Sequence, residues 1–334
     1  MIYLPKISII IPVYNVKPYI AECVQSVMRQ TYDGEIECLV IDDCGMDNSI
    51  AVVEQLMATY NGPIQFRILH HDHNRGLSAA RNTGTDAATG DYIYYLDSDD
   101  YISDDCIEVL SDSLQEYEYD MVIGGMQTFP QFRNLLKHET GEILSLTEII
   151  KAFYVDHTLY DAACNKLWKR SLFINNDLTF LEGQLHEDEL WLYKCCSCMQ
   201  FIYVLNINTY FYRMREGSIM HTRDQSIDKR VQSFYSTVDY VLLHPININR
   251  DLWNNVVALY LGAYAVTTEG RCEYRKQYLS LRQRFIYQPL SAWLQGKISM
   301  KEFKRQFHFV LPPFWGFFYI KLRYCKNLLL NKVK

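Results

Sequence analysis

No apolar stretch of the 334 residues reaches the ~18 that a membrane span needs. The N-terminal "ISIII" is too short for a secretory leader, and no cleavage site follows it. A basic surplus is also missing. Lys and Arg total 33 against 39 Asp and Glu, for a net charge of −6 and a pI near 5.9. Nucleic-acid binders usually show a basic field, so no nucleic-acid partner is expected. There is no internal repeat and no low-complexity tract. The zinc-protease helix is absent where it is most nearly approached: in "LHEDEL" residue 190 is Leu, where a second His is required. The 10 cysteines are scattered. Cys195, Cys196 and Cys198 fall on an expected helix, where they point different ways and read as small core residues in a reducing cytosol. His71 and His73 alternate in "HHDHN", but no second ligand cluster accompanies them.

What is present suffices for one large or two ordinary domains with real cores, since 49% of residues are hydrophobic. "KISIIIPVYN" (6–15) is short, β-branched and stopped by Pro12, as a strand buried on both faces would be. "PYIAECVQSVMRQ" follows with helical spacing. "IECLVIDD" (36–43) is a second strand, and "MDNSIAVVEQLMATY" a helix with Asp47 or Asn48 as its cap. "IQFRILHH" is a third strand. "LSAARNTGTDAATG" is a small-residue helix closed by Gly90. "DYIYYLD" is a fourth strand, followed by a helix whose N-cap candidate is Ser103. This alternation predicts a mostly parallel sheet with helices on both faces. Ligands of such sheets bind at the carboxyl ends of the strands. "PVYN", "DD", "HHDHN" and "DSDD" all fall there. After about 220 the pattern is helical.

Several constellations can carry chemistry. In "DSDD", Asp97 and Asp99 alternate after five apolar residues, "YIYYL". Mg²⁺ or Mn²⁺ favours such carboxylates and completes its shell with substrate phosphates; a solvated turn capping the next helix would use the same residues. Asp42 and Asp43 end the second strand, where a carboxylate can accept from a base N–H or a ribose hydroxyl, or simply cap a helix. Tyr14 can stack on a base. Arg81, in a helix that packs closely on the sheet, needs a partner; Asp42, Asp43, Asp97 or a diphosphate are the candidates. In "LEGQLHEDELW", His186, Glu187 and Asp188 meet at a helix start. Crowded acids in a cleft push one pKa upward, which suits a general base; a capped surface helix is the plainer reading. "YFYRMREGS" offers Arg213 and Arg215 to pyrophosphate oxygens, or to solvent.

In this order, "SIIIPVYN", "VIDDCGMDNS", "NRGLSAARNTG", "YIYYLDSDD", "EGQLHEDE" and "YRMREGS" resemble a family 2 glycosyltransferase with the GT-A fold. The resemblance spans about 6–218. It implies an α/β chain: a Rossmann-like GT-A catalytic domain over 1–220 and a helical region over 221–334. It implies inverting transfer of a sugar from a UDP-sugar to a saccharide or lipid-linked saccharide. By that resemblance Pro12, Tyr14, Asn15 and Asp42 or Asp43 hold the uridine. Asp97 and Ser98 lie near the ribose, and Asp99, with Asp97, holds Mg²⁺ or Mn²⁺. Arg81 assists on the nucleotide side, Asp188 is the catalytic base with Glu187 beside it, and Arg213 and Arg215 belong to a loop that closes over the diphosphate. One departure stands out: Cys44 follows the acid pair where a Gly is usual.

Two rivals remain at this level. An aspartate-nucleophile phosphatase also puts acids after a buried strand, but usually on the first one. A catalytically silent nucleotide-sugar-binding scaffold would keep the donor site alone. The last residues, 309–334, mix aromatics with Lys321, Arg323, Lys326, Lys332 and Lys334. That composition suits peripheral contact with the inner face of a cell membrane, or a helix docked on the catalytic domain or on a second subunit of a homo-oligomer. The expected location is cytoplasmic.

Overall fold

The run "ISIIIPV" forms β1 (Ile7–Val13) and is buried along its whole length. β2 (Ile36–Asp42) lies beside it and is buried up to its last residue. In the computed structural model the described residues are 4–115, 117–214, 227–248 and 289–312, with short pieces at 250, 252–254, 256–257, 279–280, 314–316, 318–319 and 322. The chain divides into two compact units, Met1–Phe153 with His157–Arg223, and Tyr154–Asp156 with Asp224–Lys334.

The first unit is built on one sheet. β3 (Gln65–His70), β2, β1 and β4 (Tyr92–Tyr95) run parallel in that order. The connections are α1 (Ile20–Met28), α2 (Ser49–Thr59) and α3 (Leu77–Ala87). Beyond β4 the sheet becomes mixed. β8 (Lys166–Lys169) pairs antiparallel with both β4 and β6 (Met121–Phe129). β9 (Phe201–Arg213) runs parallel to β6 and antiparallel to β5 (Tyr101–Ile102) and β7 (Glu142–Ser145). β3 alternates in exposure, as an edge strand with one solvated face does. The small residues of α3 let it close on β1: a Cβ on Gly84 would stand 2.4 Å from Ile10 Cγ2.

Local expectations at helix ends need correction. Ser103 does not cap the helix that follows. That helix, α4 (Cys106–Asp112), has Asp105 at its N-cap position, and the Ser103 hydroxyl is buried without a hydrogen bond. Asn48 occupies the N-cap position of α2 with no side-chain bond, while Asp47 accepts from the Ser49 and Lys17 N–H groups at 2.9 and 2.8 Å. Asp47 thus ties the start of α2 to the β1–α1 loop. Ala88, not Gly90, is the C-cap of α3.

Cys44 adopts a left-handed conformation, φ 56°. A Cβ is strained there by about 1 kcal/mol, and a glycine is not. Cys44→Gly is therefore expected to stabilise the fold by about 1 kcal/mol. Thermal or urea unfolding checks this, and a drop in midpoint would contradict it.

In the second unit the described residues are largely helical. α8 (Ile227–Leu243), α9 (Pro289–Leu294) and α10 (Met300–Gln306) are its named elements. Ser299 and Glu302 close a reciprocal capping box at the start of α10. Trp293 of α9 stacks on Phe303 of α10, with ring centroids 5.0 Å apart. Among the described residues no helix is long and apolar enough to cross a membrane.

Candidate active site

The parallel register sets Val13, Asp42 and His70 side by side at the carboxyl edge of the sheet. Pro12 lies beyond the last β1–β4 pair, Ile10 with Tyr95, so its missing N–H is not required by that ladder. Tyr14 projects with 46% of its surface exposed. Asn15 takes φ 53° and its Oδ1 accepts from the Met46 and Asp47 N–H groups at 2.8 and 3.3 Å. It fastens the β2–α2 loop to the end of β1.

The two acids of "DD" have different environments. Asp43 is buried, and both its oxygens are engaged. Oδ1 is bonded to His71 Nδ1 at 2.7 Å and to the Arg75 N–H at 2.8 Å. Oδ2 accepts from the Gly76 N–H at 2.8 Å and from Asn74 Nδ2 at 3.1 Å. His71 is held from its other side by Thr83 Oγ1 at 2.9 Å. Asp43 therefore shapes the loop that enters α3, and His71 is its buried partner. Among the described residues the Asp42 side chain bonds to the Cys44 N–H and His70 Nδ1, at 3.1 and 2.9 Å, and 18% of it stays open.

"DSDD" forms a tight turn after β4, with the Asp100 N–H donating to the Asp97 carbonyl at 3.0 Å. Ser98 and Asp100 are buried, whereas Asp97 and Asp99 are half-buried. Asp100 accepts from the Tyr210 hydroxyl at 2.6 Å and from the Arg213 N–H at 2.7 Å. Burial raises its pKa well above the usual carboxylate range, helped by the charges of Asp99 and Asp97; the two hydrogen bonds pull the other way. Three acids crowded in four residues favour a counter-cation. Their hard oxygens fit Mg²⁺ or Mn²⁺ whose shell is completed by phosphate. Among the described residues no group of three or more His, Cys, Asp or Glu side chains is placed to hold a metal ion by itself.

Arg81 is the hub of the site. Only 2% of its side chain is exposed. Its Nη2 donates to Asp97 at 2.9 Å, and its Nη1 donates to Glu187 and Asp188, each at 2.7 Å. Asp97 was among the partners anticipated for Arg81; Asp42 and Asp43 are not its partners, and Glu187 and Asp188 take their place. Both acids open α7 (Glu187–Cys196), where the helix N-terminus favours negative charge. Trp191, one turn later, anchors α7. It stacks on Phe180 at 4.1 Å and meets Tyr95, Trp168 and Phe173 at 5.8, 4.8 and 5.3 Å. The Arg81 guanidinium lies 5.3 Å from the Phe180 ring. Burial pushes Asp188 up to about 7, with the charges of Glu187 and Asp97 adding to the effect and Arg81 opposing it.

Arg213 occupies a place that the sequence did not reveal. Its guanidinium pairs with Glu22 and with the Asp99 carbonyl, and packs 5.3, 5.7 and 5.6 Å from the rings of Tyr19, Tyr101 and Phe129. It braces the "DSDD" turn from behind. Arg215 lies outside the described residues. The aromatic cage around Trp191 and the Tyr210 hydroxyl on Asp100 were also missed. The only sequence signal for them was a high tyrosine count, which names no position.

Comparison with known proteins bears on the family and the fold. Residues 8–176, half of the chain, match Glycosyl transferase family 2. Glycosyltransferase GlyG of Streptococcus pneumoniae is 34% identical over 226 residues, which cover 65% of this chain and 73% of that protein. Among solved structures, Staphylococcus aureus TarS 1–349 in complex with UDP-GlcNAc superposes with a TM-score of 0.68 at 20% identity, covering 91% of this chain and 90% of that one. The mannosyltransferase PcManGT from Pyrobaculum calidifontis, in complex with GDP-Man and Mn²⁺, gives 0.57 at 15% identity, covering 98% and 88%. At those identities the likeness is one of fold. With the family match and GlyG beside it, the chain belongs to glycosyl transferase family 2, and it is a glycosyltransferase with the GT-A fold.

Proposed function

We propose that this glycosyltransferase moves a sugar from a UDP-sugar to an acceptor hydroxyl in one inverting displacement, with Asp188 as general base. One observation carries the reading. A single buried guanidinium, that of Arg81, binds Asp97 at the end of β4 and Asp188 at the head of α7. That bond sets the acid of the "DSDD" turn and the candidate base in one fixed relation.

The roles follow from the surroundings. Asp42 accepts from the uracil N–H, because the oxygens of Asp43 are already engaged. Tyr14 stacks on the base, with Pro12 and Asn15 shaping the strand exit. Asp97 and Ser98 face the ribose. Mg²⁺ or Mn²⁺ on Asp99, with Asp97 beside it, would neutralise charge growing on the leaving diphosphate. Asp188 Oδ1 is held by Arg81, and its second oxygen takes the proton from the attacking hydroxyl. Glu187 keeps that base high in pKa and fixed in place. Arg213 supports the turn, and the diphosphate role of Arg215 rests on the family resemblance alone. Residues 1–220 thus bind the donor and perform the chemistry, and 221–334 serve contacts beyond it.

TarS of Staphylococcus aureus, 26% identical over 251 residues, is named a poly(ribitol-phosphate) β-N-acetylglucosaminyltransferase. That name supports a saccharide or polyol polymer, free or lipid-linked, as the acceptor class here, and N-acetylglucosamine as the first sugar to try.

A base with a pKa near 7 must be ionised to act, so activity is lost as pH falls through about 7. The kcat/KM profile for the UDP-sugar, which reports the ligand-free enzyme, is expected to drop tenfold per pH unit on its acid side. A flat profile from pH 5.5 to 8 would exclude a base in this range. The broader test is UDP release against a panel of acceptors. Stimulation by a hydroxyl acceptor supports transfer, and donor binding with no release under any acceptor would overturn it.

A further inference from the structure

Residues 309–334 carry five cations, Lys321, Arg323, Lys326, Lys332 and Lys334, and no acid, in a chain whose net charge is −6. Every described position from 314 to 322 is helical. One side of this helix is committed to its own unit. Gly316 is buried, the Tyr319 ring meets Phe307 at 5.3 Å, and the Tyr319 hydroxyl donates to the Lys304 carbonyl at 2.9 Å. The other side is apolar and open. Phe314, Trp315, Phe318 and Leu322 are 60, 57, 45 and 55% exposed. At about 100° per residue these four lie within an arc of about 100°. The three rings form one patch, with centroids 5.6 Å apart for Phe314 and Trp315 and 6.2 Å for Trp315 and Phe318.

We propose that this face is a contact for an anionic lipid surface. The aromatic rings enter the headgroup boundary and the cations meet lipid phosphates. Trp and Phe favour that boundary, and Lys and Arg near it are drawn to anionic lipid. The helix lies on the bilayer and does not span it, in keeping with the absence of a spanning helix among the described residues. Charge selects lipid over a second copy of the chain, since two copies of a segment with five cations and no acid repel one another. The proposal stands apart from the reading of the donor site, so either can fail alone.

The test is co-sedimentation of the full chain with vesicles at low salt, equal parts phosphatidylglycerol and phosphatidylcholine against phosphatidylcholine alone. Binding is expected to the anionic vesicles only, to fall with added salt, and to weaken at least tenfold in Trp315→Ser with Phe318→Ser. Unfolding midpoints of parent and variant show whether the fold is kept. Should the double variant not fold, Trp315→Phe provides the second arm. The parent's fluorescence is expected to be quenched by brominated lipid, and that quench to be lost in Trp315→Phe. No sedimentation, equal binding to both vesicles, or a double variant that folds and still binds would overturn the proposal. So would a variant that changes only the oligomeric state.

Discussion

Asn in place of Asp188 is expected to lower kcat by about 10³-fold while leaving UDP-sugar affinity within a few fold of the parent. Asn keeps an oxygen for Arg81 Nη1, so the geometry of the hub survives. What disappears is the proton acceptor. The acid limb of the pH–rate profile near 7 should disappear with it, since the residual rate no longer depends on that titration. Single-turnover transfer together with donor titration checks both parts. A variant that keeps parental kcat would remove Asp188 from the chemistry. One that loses donor affinity in proportion to kcat would make it a binding residue.

Replacing Arg81 by Met has its largest effect on the fold. Three carboxylates, on Asp97, Glu187 and Asp188, then face one another without a cation in a site that is 28, 10 and 21% open at those side chains. Removing one partner of a buried ion pair typically costs about 3–5 kcal/mol. For a unit of this size that is a fall in Tm of about 6–20 °C. The sign of the pH dependence follows. Asp188, already raised to about 7 by burial against the opposing charge of Arg81, rises further without that cation. The deficit is then full at high pH and shrinks as protonation sets in. The gap in Tm between Arg81→Met and the parent should therefore be smaller at pH 5.5 than at pH 8. Arg81→Lys should recover only part of the loss, because one ammonium lacks the fork that serves three acids at once. A gap that widens on acidification would contradict the arrangement.

The strands that carry the site were legible where burial is two-sided. β1, β2 and β4 are near-continuous apolar runs, broken only by Ser8 in β1 and Glu37 in β2, and a run of that kind ending in acids already marks the ligand edge. In the far half of the sheet the short strands and the pairing were not legible, for a physical reason. β5 has two residues and β8 has four, too few for any period to show. β6 and β9 are joined across register shifts at Gly124 and Gly125, which break the alternation. The need of Arg81 for a partner follows from its place in a close-packed helix. Two of its three partners lie 106 and 107 residues away, beyond any local pattern. Asp42 and Asp43 are equivalent as letters; they differ because the β3–α3 loop folds its N–H groups onto one of them. Arg213 reads as a free cation at a strand end, and its engagement with Glu22 depends on a residue 191 positions earlier.

The proposed donor site would hold a nucleotide diphosphate sugar at the carboxyl edge of β1, β2 and β4, with a cation on Asp99. A thermal-shift titration of UDP-sugars with and without Mn²⁺ tests it most directly, on the parent, Asp42→Ala and Asp99→Ala. A ligand bound to the folded state raises Tm by mass action, by ~2.7 kcal/mol of stabilisation at a hundredfold excess over Kd. A Mn²⁺-dependent rise with one UDP-sugar is expected in the parent. Asp99→Ala should lose the Mn²⁺-dependent part, and Asp42→Ala should weaken the response with or without metal. No rise with any UDP-sugar at millimolar concentration in Mn²⁺, or an undiminished rise in both variants, would contradict it.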